Sequence, residues 1–100
     1  MGKWIYYVED DTSIRELVLY ALKTAEFQVM GFENAASFYK RMKEQQPDLI
    51  LLDIMLPDED GVSILKNLKS RPDTENIPVI MMTAKSSEYD KVLGLEFRCG

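Results

Sequence analysis

Leu49-Ile50-Leu51-Leu52 is apolar at four consecutive positions and ends on a carboxylate, Asp53. Side chains of a strand alternate between its two faces. A short run with no polar member therefore suits a strand covered on both faces, as in the middle of a parallel sheet. Trp4-Ile5-Tyr6-Tyr7-Val8 is a second such run, β-branched and aromatic, and it stops at Glu9-Asp10-Asp11. Phe27 to Phe32 and Ile77 to Met82 read as two further strands, with Pro78 near the start of the latter, where a lost donor is tolerated.

Between these runs the apolar period changes to that of a helix. Ile14, Leu17, Val18, Ala21 and Leu22 recur at helical spacing, and Ser13 with Glu16 fits a capping box. Asn34 is placed to cap a second helix with Ala35, Phe38 and Met42 on one face. Val62, Leu65 and Leu68 suggest a third, and Tyr89, Val92, Leu93 and Leu95 a fourth, capped by Ser86 or Ser87. Strand and helix thus alternate four times, with connections long enough for right-handed crossovers. The expected class is α/β, an open doubly wound parallel sheet with helices on both faces.

One hundred residues suffice for one domain. The net charge of −5 disfavours direct contact with nucleic acid, which needs a basic face. There is no histidine, which removes histidine-based triads and most zinc sites. A single cysteine, Cys99, permits no internal disulfide. No apolar run approaches the roughly 18 residues that span a bilayer, and the start is not a signal peptide. A cytoplasmic protein with no membrane association is the expectation.

In open α/β sheets, sites form beyond the carboxyl ends of the strands. Glu9, Asp10, Asp53 and Thr83 are expected there. Three carboxylates in one cleft repel one another, and a divalent cation relieves that repulsion. Mg²⁺ takes hard oxygens, a few carboxylates and retained water. Asp10, Asp53 and the backbone carbonyl of Met55 suit it. An aspartate beside such a cation can act as a nucleophile toward phosphorus, and a hydroxyl at the end of the next strand, Thr83, can bond the transferred group. Taken singly, each residue has a plainer reading: a helix cap, a turn residue, ordinary β-propensity.

Val8-Glu9-Asp10-Asp11, the segment Leu51 to Gly61, and Ile77 to Lys85 together resemble the motifs of response regulator receiver (CheY-like) domains, closest to the OmpR/PhoB class of transcriptional regulators. The resemblance runs from about Lys3 to Leu95, in order and with family spacing. It implies a flavodoxin-like sheet of order 2-1-3-4 and a two-component function. A sensor histidine kinase is the implied partner and Mg²⁺ the implied cofactor. Asp53 becomes the phospho-acceptor, Asp10 a direct metal ligand, Glu9 a ligand through water and Met55 a carbonyl ligand. Thr83 becomes the switch hydroxyl, with the small Ala84 leaving it room. Such a domain is regulatory rather than an enzyme, although it assists its own phosphorylation and dephosphorylation.

The resemblance stops near the C-terminus. The family's fifth strand, its Lys-Pro pair and its fifth helix have no counterpart, and Lys85 follows the wrong strand to replace that lysine. Residues 1–95 are expected to form a shortened receiver domain and residues 96–100 a non-family tail left by a frameshift, a cloning scar or deliberate truncation. A fourth strand without an outer neighbour is an edge that invites self-association. Two alternatives stand beside this reading. A Mg²⁺-dependent aspartyl phosphatase would need a second aspartate two residues after the nucleophile, where Met55 stands. A flavodoxin-like small-molecule binder would need a glycine-rich phosphate loop after the first strand, where acids stand.

Overall fold

The computed structural model describes residues 3–82 and, for the backbone, 97–99. Its elements are β1 (Trp4–Val8), α1 (Thr12–Thr24), β2 (Gln28–Phe32), α2 (Ala35–Glu44), β3 (Leu49–Asp53), α3 (Gly61–Lys69), β4 (Val79–Met82) and β5 (Phe97–Cys99). The sheet order is β2-β1-β3-β4-β5, so the four parallel strands lie in the expected order 2-1-3-4. The two continuous apolar runs, β1 and β3, are neighbours in the middle, with Val8 opposite Leu52. The expected fourth helix, with Tyr89 to Leu95, lies outside the described residues, as do Thr83, Ala84 and Lys85.

The expectation of a bare β4 edge is corrected. Phe97–Cys99 runs antiparallel along β4, pairing Ile80 with Cys99, Met81 with Arg98 and Met82 with Phe97. An apolar strand edge with unpaired N–H and C=O groups is a template for a further strand, and three residues of the presumed tail fill it here. The premise for edge-driven self-association therefore does not hold along Ile80–Met82.

Local signals set the helix starts, with one correction. α1 is capped by Asp11, whose Oδ1 accepts from the Ile14 N–H at 3.0 Å, and not by Ser13, which is already helical. Asn34 caps α2 as expected, accepting from the Ser37 N–H. Asp60 caps α3, accepting from the Ser63 N–H. On α3 the buried residues are Gly61, Ile64 and Leu68, whereas Val62 is exposed and Leu65 half-buried. The burial stripe is thus rotated from the expected one.

Period-two alternation splits the strands between two cores. Tyr6, Val8, Ile50, Leu52, Val79 and Met81 face α2 and α3. Ile5, Tyr7, Leu51 and Met82 face α1, packing against Val18, Leu19 and Leu22. Among the described residues no helix is long and apolar enough to cross a membrane.

Candidate metal and phosphoryl site

β1 and β3 run parallel with Val8 beside Leu52, so the next residue of each strand falls at the same end of the sheet. Those residues are Glu9 and Asp53, each 2% exposed. Asp10 follows Glu9 and is exposed. Glu9, Asp10 and Asp53 each offer a carboxylate oxygen, and the three oxygens lie within 4.8 Å of one another. The sequence singled out these three, and the fold brings them together. All three offer carboxyl oxygens, so the cluster suits a hard cation.

Around the cluster the backbone is tied down. The Glu9 N–H donates to the Phe32 carbonyl at 2.9 Å, and Arg15 Nη1 donates to the Glu9 carbonyl at 2.7 Å. The Glu9 carboxylate is held at both oxygens. The Asp11 N–H donates to Oε2 at 3.0 Å and the Tyr7 hydroxyl to Oε1 at 3.3 Å. The Tyr7 phenol is pushed above its ordinary pKa, first by burial, then by the adjacent Glu9 carboxylate and its hydrogen bond, and less by Asp53; Arg15 acts the other way. It therefore stays protonated and remains a donor. Sequence reading counted Tyr7 as strand filling, because its partner lies two positions along and nothing in β-propensity marks that.

The loop after Asp53 is built close. The Met55 N–H approaches Asp53 Oδ1 at 3.4 Å, and the Gly61 N–H donates to the Ile54 carbonyl at 2.7 Å. A Cβ on Gly61 would lie 2.5 Å from the Asp53 carbonyl oxygen and 2.9 Å from Ile54 Cα. Glycine is needed here because α3 starts against the backbone of the aspartate itself.

Farther along, the loop reaches across to α2. Asp58 accepts from the Ala35 N–H at 2.9 Å and the Ala36 N–H at 3.1 Å, capping a helix 22 or more residues earlier in the chain. Those amides hold the Asp58 carboxyl below its usual pKa. Glu59 is bonded by the Tyr39 hydroxyl at 3.3 Å and Asn67 Nδ2 at 3.0 Å. This strapping went unread in the sequence, which offers no signal for a cap supplied from so far away.

A doubly wound parallel sheet with three carboxylates gathered at the carboxyl ends of its two central strands defines a class of α/β domain with an acidic site. The family model of the response regulator receiver domain matches residues 5–99, and the chain belongs to that family. It is 44% identical over 96 residues to the phosphate regulon transcriptional regulatory protein PhoB of Escherichia coli K12, covering 96% of this chain and 42% of that protein. The chain thus spans about two-fifths of the length of this curated relative. Among solved structures, the N-terminal domain of a response regulator receiver protein from Methanoculleus marisnigri JR1 superposes with a TM-score of 0.78 at 30% identity, covering 92% of this chain and 76% of that one. The receiver domain of the sensor histidine kinase PA1611 from Pseudomonas aeruginosa PAO1, solved with magnesium coordinated in its active site cleft, shares the fold with a TM-score of 0.78 at 24% identity, covering 91% and 75%.

Proposed function

We propose that Asp53 accepts a phosphoryl group from a sensor histidine kinase and that the domain thereby switches a two-component response. The observation that carries this reading is the meeting of Glu9, Asp10 and Asp53 within 4.8 Å, with Asp53 buried at the end of a central strand. A carboxylate oxygen of Asp53 attacks phosphorus, the P–N bond to the kinase imidazole breaks, and the imidazole nitrogen takes up a proton. Asp10 and Asp53 would hold Mg²⁺ directly, with the Met55 carbonyl, and Glu9 through water. When bound, the ion offsets the charge on the phosphoryl oxygens. The acidic donor set fits that ion, and magnesium in the cleft of the PA1611 receiver supports the reading. Thr83, next after β4 in the chain, is the proposed switch hydroxyl.

The burial of Asp53 shields the acyl phosphate from bulk water, while exposed Asp10 keeps the cleft open to a partner. In PhoB the matched region is 42% of the protein, so the transcriptional regulation in that relative's name is not assigned to this domain alone.

A small phosphodonor such as acetyl phosphate, supplied with Mg²⁺, should label the protein. Asp53→Asn should abolish the label while leaving the amide spectrum of a folded domain. Undiminished labelling of Asp53→Asn would remove Asp53 as the acceptor.

A further inference from the structure

We propose that Tyr7 is a positioning residue for the acidic cluster, its buried hydroxyl fixing the Glu9 carboxylate in the orientation from which Glu9 serves a divalent cation. The inference rests on the reading of Glu9, Asp10 and Asp53 as a Mg²⁺ site. Tyr7 lies on β1 and Glu9 stands just past its end, two residues on, where the two side chains meet. Tyr7 is fully buried and Glu9 nearly so. Tyr7 belongs to the buried cluster of Ile5, Leu51 and Met82, against which Val18, Leu19 and Leu22 of α1 pack. Its hydroxyl is therefore delivered to Glu9 Oε1 by a rigid, fully packed side chain.

The geometry of Glu9 shows what this does. Its Oε2 takes the Asp11 N–H, which restrains one oxygen. The phenol on Oε1 restrains the other. At 3.3 Å the bond is long for O–H···O, so it restrains Glu9 and does not clamp it, and its effect should be moderate. A buried tyrosine hydroxyl needs a partner in any fold. What sets Tyr7 apart is that its partner is a member of the cluster itself. A wholly aliphatic side chain would fill the same apolar slot beside α1 without reaching Glu9.

The test is Tyr7→Phe, which deletes one oxygen, with Mg²⁺ titrated into the protein and the amides of residues 9–11 and 53–55 followed by NMR. The Kd for Mg²⁺ should rise about three- to tenfold, the scale of one ordinary net hydrogen bond. Labelling by acetyl phosphate should slow at low Mg²⁺ and recover at saturating Mg²⁺. In a Glu9→Gln background the same substitution should change the Kd by less than about twofold, because the two residues act as one unit. A Kd for Tyr7→Phe that matches the parent, even alongside a lowered melting temperature, would show a merely structural phenol and overturn the proposal. An equal loss in the Glu9→Gln background would overturn it too. Absence of Mg²⁺ binding by the parent would instead overturn the reading of the site, and this inference with it.

Discussion

On the face covered by α2 and α3, twelve buried residues join in one cluster, and Tyr6, Phe32 and Phe38 meet edge to face within it. On the face covered by α1, four buried residues form the cluster among the described residues, and α1 itself has none that is fully buried. Leu17 and Tyr20 on α1 are 69% and 71% exposed. Burial of apolar area stabilises by about 25 cal/mol per Å², so among the described residues the first face contributes the larger share. The second face carries the finer polar work. Its Tyr7 touches the acidic cluster, and its Arg15 bonds the Glu9 backbone. The difference teaches that stability and chemistry are divided between the sides of one sheet, with the carboxylates gathered at the strand ends between them.

The widest test of that division is Phe38→Ala. Phe38 is 0% exposed at the centre of the aromatic group, and its loss should cost about 3–5 kcal/mol in urea unfolding. Leu17→Ala on the other face should stay within about 0.5 kcal/mol. Similar losses at the two positions would erase the asymmetry.

Glycines sharpen the comparison next. Gly61→Ala sets a methyl group against the Asp53 carbonyl and Ile54 Cα, backbone atoms that cannot yield cheaply. We expect a loss of about 1–3 kcal/mol together with slower labelling of Asp53. Gly31→Ala meets Leu19 Cδ1 at 2.7 Å and the Arg15 side chain at 3.0 Å, ends that can move. It should cost well under half as much in the same melt, and a reversed order would mean that α1 is the more rigidly seated helix.

Asp58→Asn probes the strap on the well-packed face. The exposed cap should contribute roughly 0.5–1 kcal/mol at neutral pH. The folded-state pKa of Asp58 is depressed by the α2 amides, so this stability is fully present above the ordinary carboxylate range, near pH 4, and is lost as pH falls through the depressed value. The gap between parent and variant in pH-dependent unfolding should therefore be flat at neutral pH and close below about pH 4. A gap that widened on acidification would give the strap the wrong sign.

An effect of similar size and opposite sign belongs to the end of α1. Glu26 has φ of 73°, the left-handed region that glycine favours. Glu26→Gly should raise stability by about 0.5–1 kcal/mol, visible as a shift in thermal midpoint.

Much of this was legible beforehand. β1 and β3 announce themselves because each is a run of apolar residues ended by an acid, and that same pattern carries Glu9, Asp10 and Asp53 to one end of the sheet. The cap of α1 was misread because Ser13 and Glu16 satisfy a spacing template, while Asp11 wins by lying in the extended turn where a cap must sit. β5 escaped notice because three residues are too few to show a period. Asp58 and Tyr7 were missed for a shared reason. Their roles depend on the direction of one polar atom toward a partner chosen by tertiary structure, and residue type alone holds no record of that.

The bonds from Asp58 to α2 also bear on the order of assembly. Asn34 can close on Ser37 as soon as the first turn of the helix forms, across three residues. Asp58 must wait until the chain has turned back, across 23 residues to Ala35. Contacts of long sequence separation form after the loops that carry them have closed. The helix is thus sealed twice, once early by its own neighbour and once late by the loop that follows the acceptor aspartate. The late seal comes from the loop that leaves Asp53, so it ties the start of α2 to the segment beside the acidic cluster.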